Sequence, residues 1–447
     1  MSRLAPGAPA LAMLMACGSL VSLDPPEPSS SGSTATGSSG TSTSTSADGS
    51  TTVTPADSTT AATPDLPPPG SCPQGCALEL NQVWSWDAEP LPADPLPVER
   101  SISAIVRTLD DEFVIADHRD GQPWISRVTN DGVELWSIPA DLSCDCRITS
   151  LAITDDGQLL VGAEGTFFGR TNVFAIARYD LFLPSLEWLT WDILYQFTEH
   201  PPRVGSIVTI DDAFVGLLVV EADIFGDPTT HETLELLLFQ ERSFWSRFPI
   251  DSQPYSEVAW RPLGRTTPNG GLVVGLTDTS GSQDDGYLVW LGPGGAAPIA
   301  VEPLPSPPEA MDLGAGWTTF VAGHERSSPR EVSLHVSRTL SVLPLDWTHT
   351  ESIPTTSDRT PALVADCEGG AIAALRVTTG PTEPPALALV RVADDGSLSG
   401  STTLPIPADA AAQPVFLALD SKDDLMIATL VEGELHLEKH SRGCQCD

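Results

Sequence analysis

Hydrophobic residues between about residue 71 and the C-terminus occur in short runs separated by Gly, Asp, Asn and Pro. Runs of this length rich in β-branched residues predict strands, and no stretch shows the sustained periodicity of a long helix. One pattern recurs seven times, a polar or glycine turn followed by an apolar run that ends in small residues. The copies occupy residues 110–117, 155–163, 211–219, 269–277, 314–323, 368–377 and 422–430.

The spacing of these copies predicts the architecture. Their turns are 45, 56, 58, 45, 54 and 54 residues apart. A period near 50 residues with four short strands per unit is typical of a propeller blade rather than a solenoid coil. The sequence therefore predicts an all-β fold, a seven-bladed β-propeller preceded by a disordered Ser/Thr-rich tether. A count of six or eight blades stays open if one of the turns does not belong to a blade.

The two ends of the repeat region predict how the ring closes. The last unit, residues 414–441, contains three predicted strands, whereas residues 82–88 resemble an outer strand that has no partners before it. An N-terminal strand that completes the last blade would leave no unpaired edge.

Four of the eight cysteines flank these terminal strands, Cys72 and Cys76 before the first and Cys444 and Cys446 after the last. We expect disulfides between the two pairs because both pairs would lie at the same edge of the last blade. Each would close a loop of nearly the whole domain, which the chain-entropy argument values at roughly 5 kcal/mol. Local Cys72–Cys76 and Cys444–Cys446 bridges are the alternative.

The other cysteines and the acidic clusters predict no metal site. Cys144 and Cys146 are expected to pair with each other or to stay a reducible pair, and Cys367 is expected to remain a thiol. Zinc needs convergent pairs of sulfur and nitrogen ligands. The Asp-Asp-Gly clusters lack the complete calcium loop with its distal Glu, and we interpret most of them as hairpin turns. Asp278 with Asp284 and Asp285 lies in a longer predicted loop, where calcium is the alternative.

The N-terminus is typical of a secretory signal. Arg3 precedes an apolar run over residues 8–16, about half the length of a membrane span. A signal that is cleaved elsewhere, with Cys17 incidental, is one interpretation of this segment.

A second interpretation follows from a resemblance. Leu14-Met15-Ala16-Cys17, followed by Gly18, resembles the lipobox of bacterial lipoproteins. The resemblance implies cleavage before Cys17 and acylation of its sulfur. Because Gly18 is not the Asp that marks inner-membrane retention, it favours an outer-membrane location facing the periplasm or the cell surface.

The chain after this cysteine is predicted to be a tether. Residues 24–70 consist mainly of Ser, Thr, Gly, Ala and Pro, a composition that cannot bury enough apolar surface to offset the entropy of ordering. We therefore divide the chain into a signal peptide (1–16), a lipidated linker (17–70) and a β-propeller (71–447).

The charge of the chain excludes one class of partner. Acidic residues outnumber basic ones 60 to 22, for a net charge of −38. Nucleic-acid binding needs clustered Lys and Arg, so no nucleic-acid partner is expected. We expect membrane association through the lipid anchor only, and a monomer.

One segment carries a resemblance to a propeller family. Asp131-Gly132-Val133-Glu134-Leu135-Trp136 resembles the Gly-x-x-x-Trp ending of repeats in quinoprotein-like and WD-repeat-like propellers and in outer-membrane assembly propellers. The resemblance covers one unit well and the others poorly. In the sixth unit Gly400 stands where the tryptophan would be.

No catalytic residues can be assigned from the sequence. Residues 396–400 match the G-x-S-x-G pattern of a nucleophile elbow, but they lie in a predicted strand-to-strand hairpin with no helix after it. No cofactor fingerprint is found in a strand–helix context.

Long loops predict where a partner binds. Connections between the second and third strands emerge on the same propeller face as the links between blades. Five of them are predicted to be long, at residues 163–172, 221–233, 277–287, 322–331 and 376–386. Their candidate partner-binding side chains are Phe167, Phe168, Arg170, Phe225, His231, His324 and Arg326.

These observations favour a non-enzymatic scaffold or binding module that contacts an unknown protein or glycan through its long-loop face. The alternative is an extracytoplasmic hydrolase or lyase with carboxylates or a His at the central mouth of the propeller, because propellers host both classes. Converging carboxylates or a metal would favour the enzyme, and a dry aromatic patch would favour binding.

Overall fold

A computed structural model describes the strand-forming region of the chain. The described residues are 77–87, 100–119, 121–154, 156–167, 171–193, 203–209, 214–222, 232–240, 243–249, 263–266, 271–278, 285–292, 298–314, 318–340, 344–356, 359–378, 380, 384–406, 415–431 and 434–443. They form 28 strands, arranged as seven four-stranded antiparallel sheets.

Six sheets consist of four strands that are consecutive in the chain and pair in chain order; β1 (Ala77–Asp87) precedes them and belongs to the seventh. Sheet 1 contains β2 (Arg100–Arg107), β3 (Phe113–Arg119), β4 (Gln122–Val128) and β5 (Glu134–Pro139). Sheet 2 contains β6 (Asp145–Ile153), β7 (Leu159–Phe167), β8 (Thr171–Asp180) and β9 (Ser185–Ile193). Sheet 3 contains β10 (Arg203–Thr209), β11 (Phe214–Ala222), β12 (Glu232–Gln240) and β13 (Ser243–Pro249).

The next three sheets repeat this arrangement. Sheet 4 contains β14 (Leu263–Thr266), β15 (Leu272–Asp278), β16 (Asp285–Leu291) and β17 (Pro298–Leu304). Sheet 5 contains β18 (Ala310–Leu313), β19 (Thr318–Ser328), β20 (Glu331–Leu340) and β21 (Leu345–Pro354). Sheet 6 contains β22 (Ala362–Ala365), β23 (Ala371–Val377), β24 (Ala386–Val392) and β25 (Leu398–Pro405).

Sheet 7 joins the two ends of the described chain. Its first three strands are β26 (Phe416–Leu419), β27 (Leu425–Val431) and β28 (Glu434–Gly443), and its fourth strand is β1. The first strand of each sheet packs beside the first strand of the next, and β26 packs beside β2. The described sheets therefore form a β-propeller. The predicted all-β propeller fold is confirmed, as is the predicted use of an N-terminal strand to complete the last sheet.

The seven apolar runs of the sequence are the second strands of the sheets. β3 and β23 are buried along their whole length, whereas β21, a fourth strand, alternates between half-buried and exposed residues. A second strand is covered on both faces by neighbouring sheets, so every side chain is apolar or paired and the alternation disappears. Burial of each large apolar side chain stabilises the fold by about 1.5–3 kcal/mol.

Successive connections lie at opposite ends of the strands and define two faces. The crossover face carries the connections from second to third strands and the links between sheets, such as residues 121, 140–144 and 329–330. The turn face carries the first-to-second and third-to-fourth turns, such as residues 108–112, 129–133, 181–184, 393–397 and 420–424.

Tryptophans on fourth strands join neighbouring sheets at the turn face. The indole Nε1 of Trp84 in sheet 7 donates to Asn130 O in sheet 1 at 2.9 Å. The same bond runs from Trp136 in sheet 1 to Leu181 O in sheet 2 at 3.1 Å. It recurs from sheet 5 to sheet 6, where Trp347 donates to Asp394 O at 2.9 Å.

Two of the turns that receive a tryptophan require glycine. Gly132 and Gly396 both have φ of +80°, and a Cβ on either would lie 2.8 Å from the ring of Trp84 or Trp347. Gly132 thus receives one indole while Trp136, four residues later, docks on the following sheet. This explains the Gly-x-x-x-Trp pattern in physical terms.

Basic residues occupy one register position on the third strands of five sheets. Each lies opposite the second residue of β3, β7, β23 or β27, or the third residue of β19. They are Arg127, Arg178, Arg338, Arg391 and Lys439, of which Arg178 is half-buried and the others are buried. Most of their carboxylate partners lie in the acidic turns of the same sheet, for example Arg391 with Asp366 at 2.8 Å and Lys439 with Asp420 at 2.7 Å. The acidic turns therefore neutralise buried cations.

A further polar group lies across the closing strand pair of sheet 7. His436 contacts Asp87 of β1 at 2.6 Å and Glu438 at 3.0 Å, and His440 contacts Glu438 at 2.9 Å. The bonds from His436 and His440 lower the pKa of Glu438 to about 2, and the bond to Glu438 raises the pKa of His436.

We expect Gly132→Ala to destabilise the protein more than Gly121→Ala. Both glycines have positive φ, but a Cβ at Gly121 would meet open space. The free energy of unfolding of the Gly121→Ala control should fall by about 1–2 kcal/mol, because of the left-handed strain alone. That of Gly132→Ala should fall by a further ~1–3 kcal/mol because of the clash with Trp84. Urea unfolding followed by circular dichroism measures both; equal losses would contradict a tight indole–turn contact.

Lys439→Met should destabilise by about 3–5 kcal/mol, because it leaves the fully buried Asp420 without its cation. The matched control is Lys422→Met, since Lys422 is exposed and is the other lysine of the chain. The control should unfold within about 0.5 kcal/mol of the wild type. Thermal and urea unfolding test this, and a Lys439→Met protein as stable as the control would show that the pair contributes nothing.

Candidate functional site

Most of the predicted site residues lie outside the described residues or side chains. Phe168, Arg170, Phe225 and His231 are outside, and Phe167 ends β7 with its side chain not among those described. Cys17, Cys72, Cys76, Cys444 and Cys446 also lie outside, so the lipidation site and the links between the chain ends stay predictions.

His324 and Arg326 are placed differently from the prediction. Residues 322–331 are not a long loop, because β19 and β20 stay paired as far as Ser328 and Glu331 and only a tight turn joins them. The Nδ1 atom of His324 bonds to the carboxylate of Glu309, and the exposed Arg326 donates to Thr356 O at 3.4 Å. Cross-strand pairing thus holds these two side chains on sheet 5, and they are strand residues.

Among the described residues, a cavity of about 380 Å³ on the crossover face, between sheets 1 and 2, combines a concave shape with charged groups. Sheet 1 contributes the start of β2, the end of β3 and the following turn. Sheet 2 contributes the start of β6 and the end of β7. The lining residues are Ser101, His118, Gly121, Asp145, Cys146, Arg147, Glu164 and Gly165.

A disulfide fixes the edge of this cavity. Cys144 and Cys146 are joined, with their Cα atoms 5.1 Å apart. A ring this small removes little entropy from the unfolded chain, about 1.6 kcal/mol by the chain-entropy argument. The bond therefore shapes the entry into β6 more than it stabilises the fold.

The backbone of β6 lies unusually close to β7 at the same place. A Cβ on Gly165 would lie 2.2 Å from Asp145 O and 2.5 Å from Cys146 Cα. Only glycine permits this approach, which sets the width of the cavity beside the disulfide.

The charged groups of the cavity are mixed in sign and accessible. Arg147 is exposed and donates to Glu164 at 3.0 Å, and Asp145, two residues earlier on the same face of β6, is also exposed. An exposed ion pair of this kind contributes at most about 1 kcal/mol to stability, so its groups can exchange partners at low cost.

His118 forms a rigid wall of the cavity. The backbone N–H of Ile148 donates to its Nε2 at 3.2 Å, so Nε2 is unprotonated and Nδ1–H faces Ser103 Oγ at 3.1 Å. Both ring nitrogens are thus engaged, and the imidazole ties sheet 1 to sheet 2. A general base would need one of these nitrogens to face a reactant.

An ion pair supports the strand that carries this histidine. Arg119 donates to the fully buried Asp117 at 2.9 Å and to Ser126 and Ser137 at 3.1 Å, and its guanidinium lies 4.3 Å from the ring centroid of Trp124. Side chains held this firmly can position a ligand without reorganisation.

The arrangement provides donors and acceptors of both charges on fixed backbone. Arg147 can donate to a carboxylate or hydroxyl, and Asp145 and Glu164 can accept from hydroxyl or amino groups. Within the described part of the chain, no group of three or more His, Cys, Asp or Glu side chains is arranged to hold a metal ion. The same residues include no helix long and apolar enough to cross a membrane.

The sequence analysis did not single out the charged residues of this cavity. Glu164 lies within a predicted long loop, and Arg147 directly follows the Cys-x-Cys segment. Neither position predicts that the two side chains contact each other. The available signal was a charged residue between the two cysteines, Asp145, and another directly after them, Arg147, at the start of an inner strand. Cys367, the remaining described cysteine, is buried as a thiol in sheet 6.

Comparison with known proteins identifies no family. No family model and no curated protein matches the chain. Solved structures match at 10% sequence identity. One of them comes from a structural and mechanistic analysis of two prolyl endopeptidases and matches with a TM-score of 0.41, over 75% of this chain and 45% of that one. Prolyl oligopeptidase B from Galerina marginata matches with a TM-score of 0.41, over 74% of this chain and 47% of that one.

A third match is a subtype N10 neuraminidase-like protein of A/little yellow-shouldered bat/Guatemala/060/2010, with a TM-score of 0.39, 10% identity, and coverage of 81% of this chain and 99% of that one. The chain spans less than half the length of the two prolyl peptidases. These likenesses concern the shape of the fold alone.

We expect peptide mapping without reduction to recover Cys144 and Cys146 in one peptide whose mass is lower by two hydrogen atoms. Cys367 should react with a maleimide only after denaturation, because it is 7% exposed. Labelling of Cys367 in the native protein, or a mixed disulfide involving Cys144, would contradict the structure. The same map tests whether the Cys72/Cys76 peptide is linked to Cys444 and Cys446.

Proposed function

We propose that this protein is a non-enzymatic binding module outside the cytoplasm that binds a protein or glycan partner through its crossover face. The observation that carries the proposal is the cavity between sheets 1 and 2, where exposed charges of both signs stand on a disulfide-shaped backbone. Function concentrates on such connections when a rigid scaffold positions them.

The chemistry of the cavity favours a polar partner group. Carboxylates such as Asp145 and Glu164 accept hydrogen bonds from sugar hydroxyls, and the guanidinium of Arg147 donates to sugar or peptide oxygens. A glycan or an extended peptide segment fits a shallow, polar site of this kind better than an apolar ligand does.

The scaffold behind the site is part of the proposal. We infer that each of the seven sheets is one blade and that the first strands line a single ring. A ring completed by pairing β1 with β28 leaves no open end, which favours a monomer that presents a fixed face.

The anchored location rests on the sequence. The lipobox-like segment that ends in Cys17 and the Ser/Thr-rich residues 17–70 support a propeller tethered to the outer membrane, on the periplasmic side or the cell surface. Several acyl chains would anchor firmly, since each buried CH₂ contributes about 0.8 kcal/mol. The net charge of −38 opposes binding to anionic surfaces by the propeller itself.

Binding of the purified protein to immobilised envelope glycans and peptides tests the function. We expect Arg147→Ala and Glu164→Gln each to weaken binding of any recovered glycan or peptide by about tenfold, the loss of a charged hydrogen bond. The matched control is Arg330→Ala, an exposed arginine on the same face in the turn between β19 and β20.

The outcomes separate the alternatives. Binding that survives at wild-type strength in both cavity variants would remove the cavity from the proposal. Binding with turnover of the glycan or peptide would instead support a hydrolase or lyase. Affinity capture from crosslinked cells, with Phe167, Phe168 and Phe225 changed to Ala in a parallel bait, tests the rest of the crossover face.

A further inference from the structure

An apolar turn stands on the opposite, turn face of the propeller, between β8 and β9. Phe182 and Leu183 are 71% and 72% exposed, more than the other large hydrophobic residues of the described chain. The equivalent turns of sheets 1 and 6 carry Asn-Asp-Gly and Asp-Asp-Gly at residues 130–132 and 394–396. Sheet 2 has replaced a polar turn by Leu-Phe-Leu-Pro at residues 181–184, which we call the apolar turn.

Hydrogen bonds hold the backbone of the apolar turn in one conformation. The carboxylate Oδ1 of Asp180 accepts from the backbone N–H of Phe182 at 2.7 Å and of Leu183 at 3.2 Å. The carbonyl of Leu181 accepts from the Trp136 indole and the Arg127 guanidinium of sheet 1. The two exposed side chains therefore project from a backbone that the neighbouring sheet fixes.

The surface around the apolar turn is acidic. Asp110 and Asp156 are 59% and 60% exposed, whereas of their ion-pair partners Arg127 is buried and Arg178 is half-buried. The guanidinium carbon of Arg127 lies 5.5 Å from the ring centroid of Phe182, so the Arg127–Asp110 pair is adjacent to the turn. The accessible charge beside the apolar side chains is negative.

We propose that the apolar turn is a docking site for a basic segment of a partner protein that inserts an apolar side chain beside Phe182 and Leu183. Exposed apolar residues rimmed by polar groups mark interaction sites, and aromatic residues are frequent anchors of such sites. The acidic rim favours Lys and Arg in the partner and repels anionic lipid. Rigid presentation lowers the entropy cost of binding.

The test measures fluorescence anisotropy with a labelled short peptide of Lys that carries two Leu. The full chain should bind it, and added salt should weaken the binding. Phe182→Ser with Leu183→Ser should weaken it about tenfold or more. Asp110→Asn with Asp156→Asn should weaken it and reduce the dependence on salt.

Two controls make the result specific. Val301→Ser removes a comparably exposed apolar side chain, 54% exposed, from β17 of sheet 4 and should leave binding unchanged. A peptide in which Glu replaces Lys should not bind. Unchanged thermal unfolding of the Ser variants excludes loss of the fold as the cause of weaker binding.

Several results would overturn the proposal. These are equal affinity for the Phe182/Leu183 variant and the Val301 variant, equal binding of the Glu peptide, and no binding of the Lys peptide by the wild type. Binding to anionic vesicles, or self-association in sedimentation, that the Phe182/Leu183 variant loses would assign the turn to a membrane or a second copy instead.

Discussion

Docking of a tryptophan from one sheet into a turn of the next is the contact on which the described ring depends. Second strands such as β3 and β23 are buried along their whole length, so the sheets depend on one another, and their packing needs a contact that sets how far and at what angle neighbours approach. The indoles of Trp84, Trp136 and Trp347 do this by combining a large apolar surface with one hydrogen bond to a turn carbonyl. Trp84 has an additional role because it lies on β1. It thereby connects the first described strand, which pairs in sheet 7, to sheet 1.

The acidic turns and the buried cations form a second layer of the same junctions. Third-strand bases such as Arg127 and Lys439 would be costly to bury without partners, and turns rich in Asp supply most of those partners. Arg338 of sheet 5 instead pairs with Asp346 on β21 and with Asp394 of sheet 6. The turns thus serve both the backbone, which they reverse, and the charge balance of the interior. Exposed acids of these turns, such as Asp110 and Asp156, give the turn face its negative charge beside Phe182.

The two faces consequently differ in what they offer a partner. On the crossover face, the cavity between sheets 1 and 2 combines Arg147, Glu164 and Asp145 in a shape defined by the Cys144–Cys146 disulfide and by Gly165. On the turn face, Phe182 and Leu183 project from a sheet junction that Trp136 already holds. The packing of the sheets keeps the two proposed sites at a fixed separation.

The sequence by itself determined the all-β class, the repeat and the role of the terminal strands. Second strands are buried on both faces, so each leaves an uninterrupted apolar run behind a turn, and burial is a property that local composition records. It did not determine that His324 and Arg326 would lie on paired strands, because pairing beyond the turn depends on register with β20. Nor did it show that Arg147, Glu164 and His118 would share one cavity, or that Gly132 would receive Trp84 from 48 residues earlier in the chain. Those contacts depend on how the sheets pack side by side, and no local sequence pattern encodes the distance between two sheets.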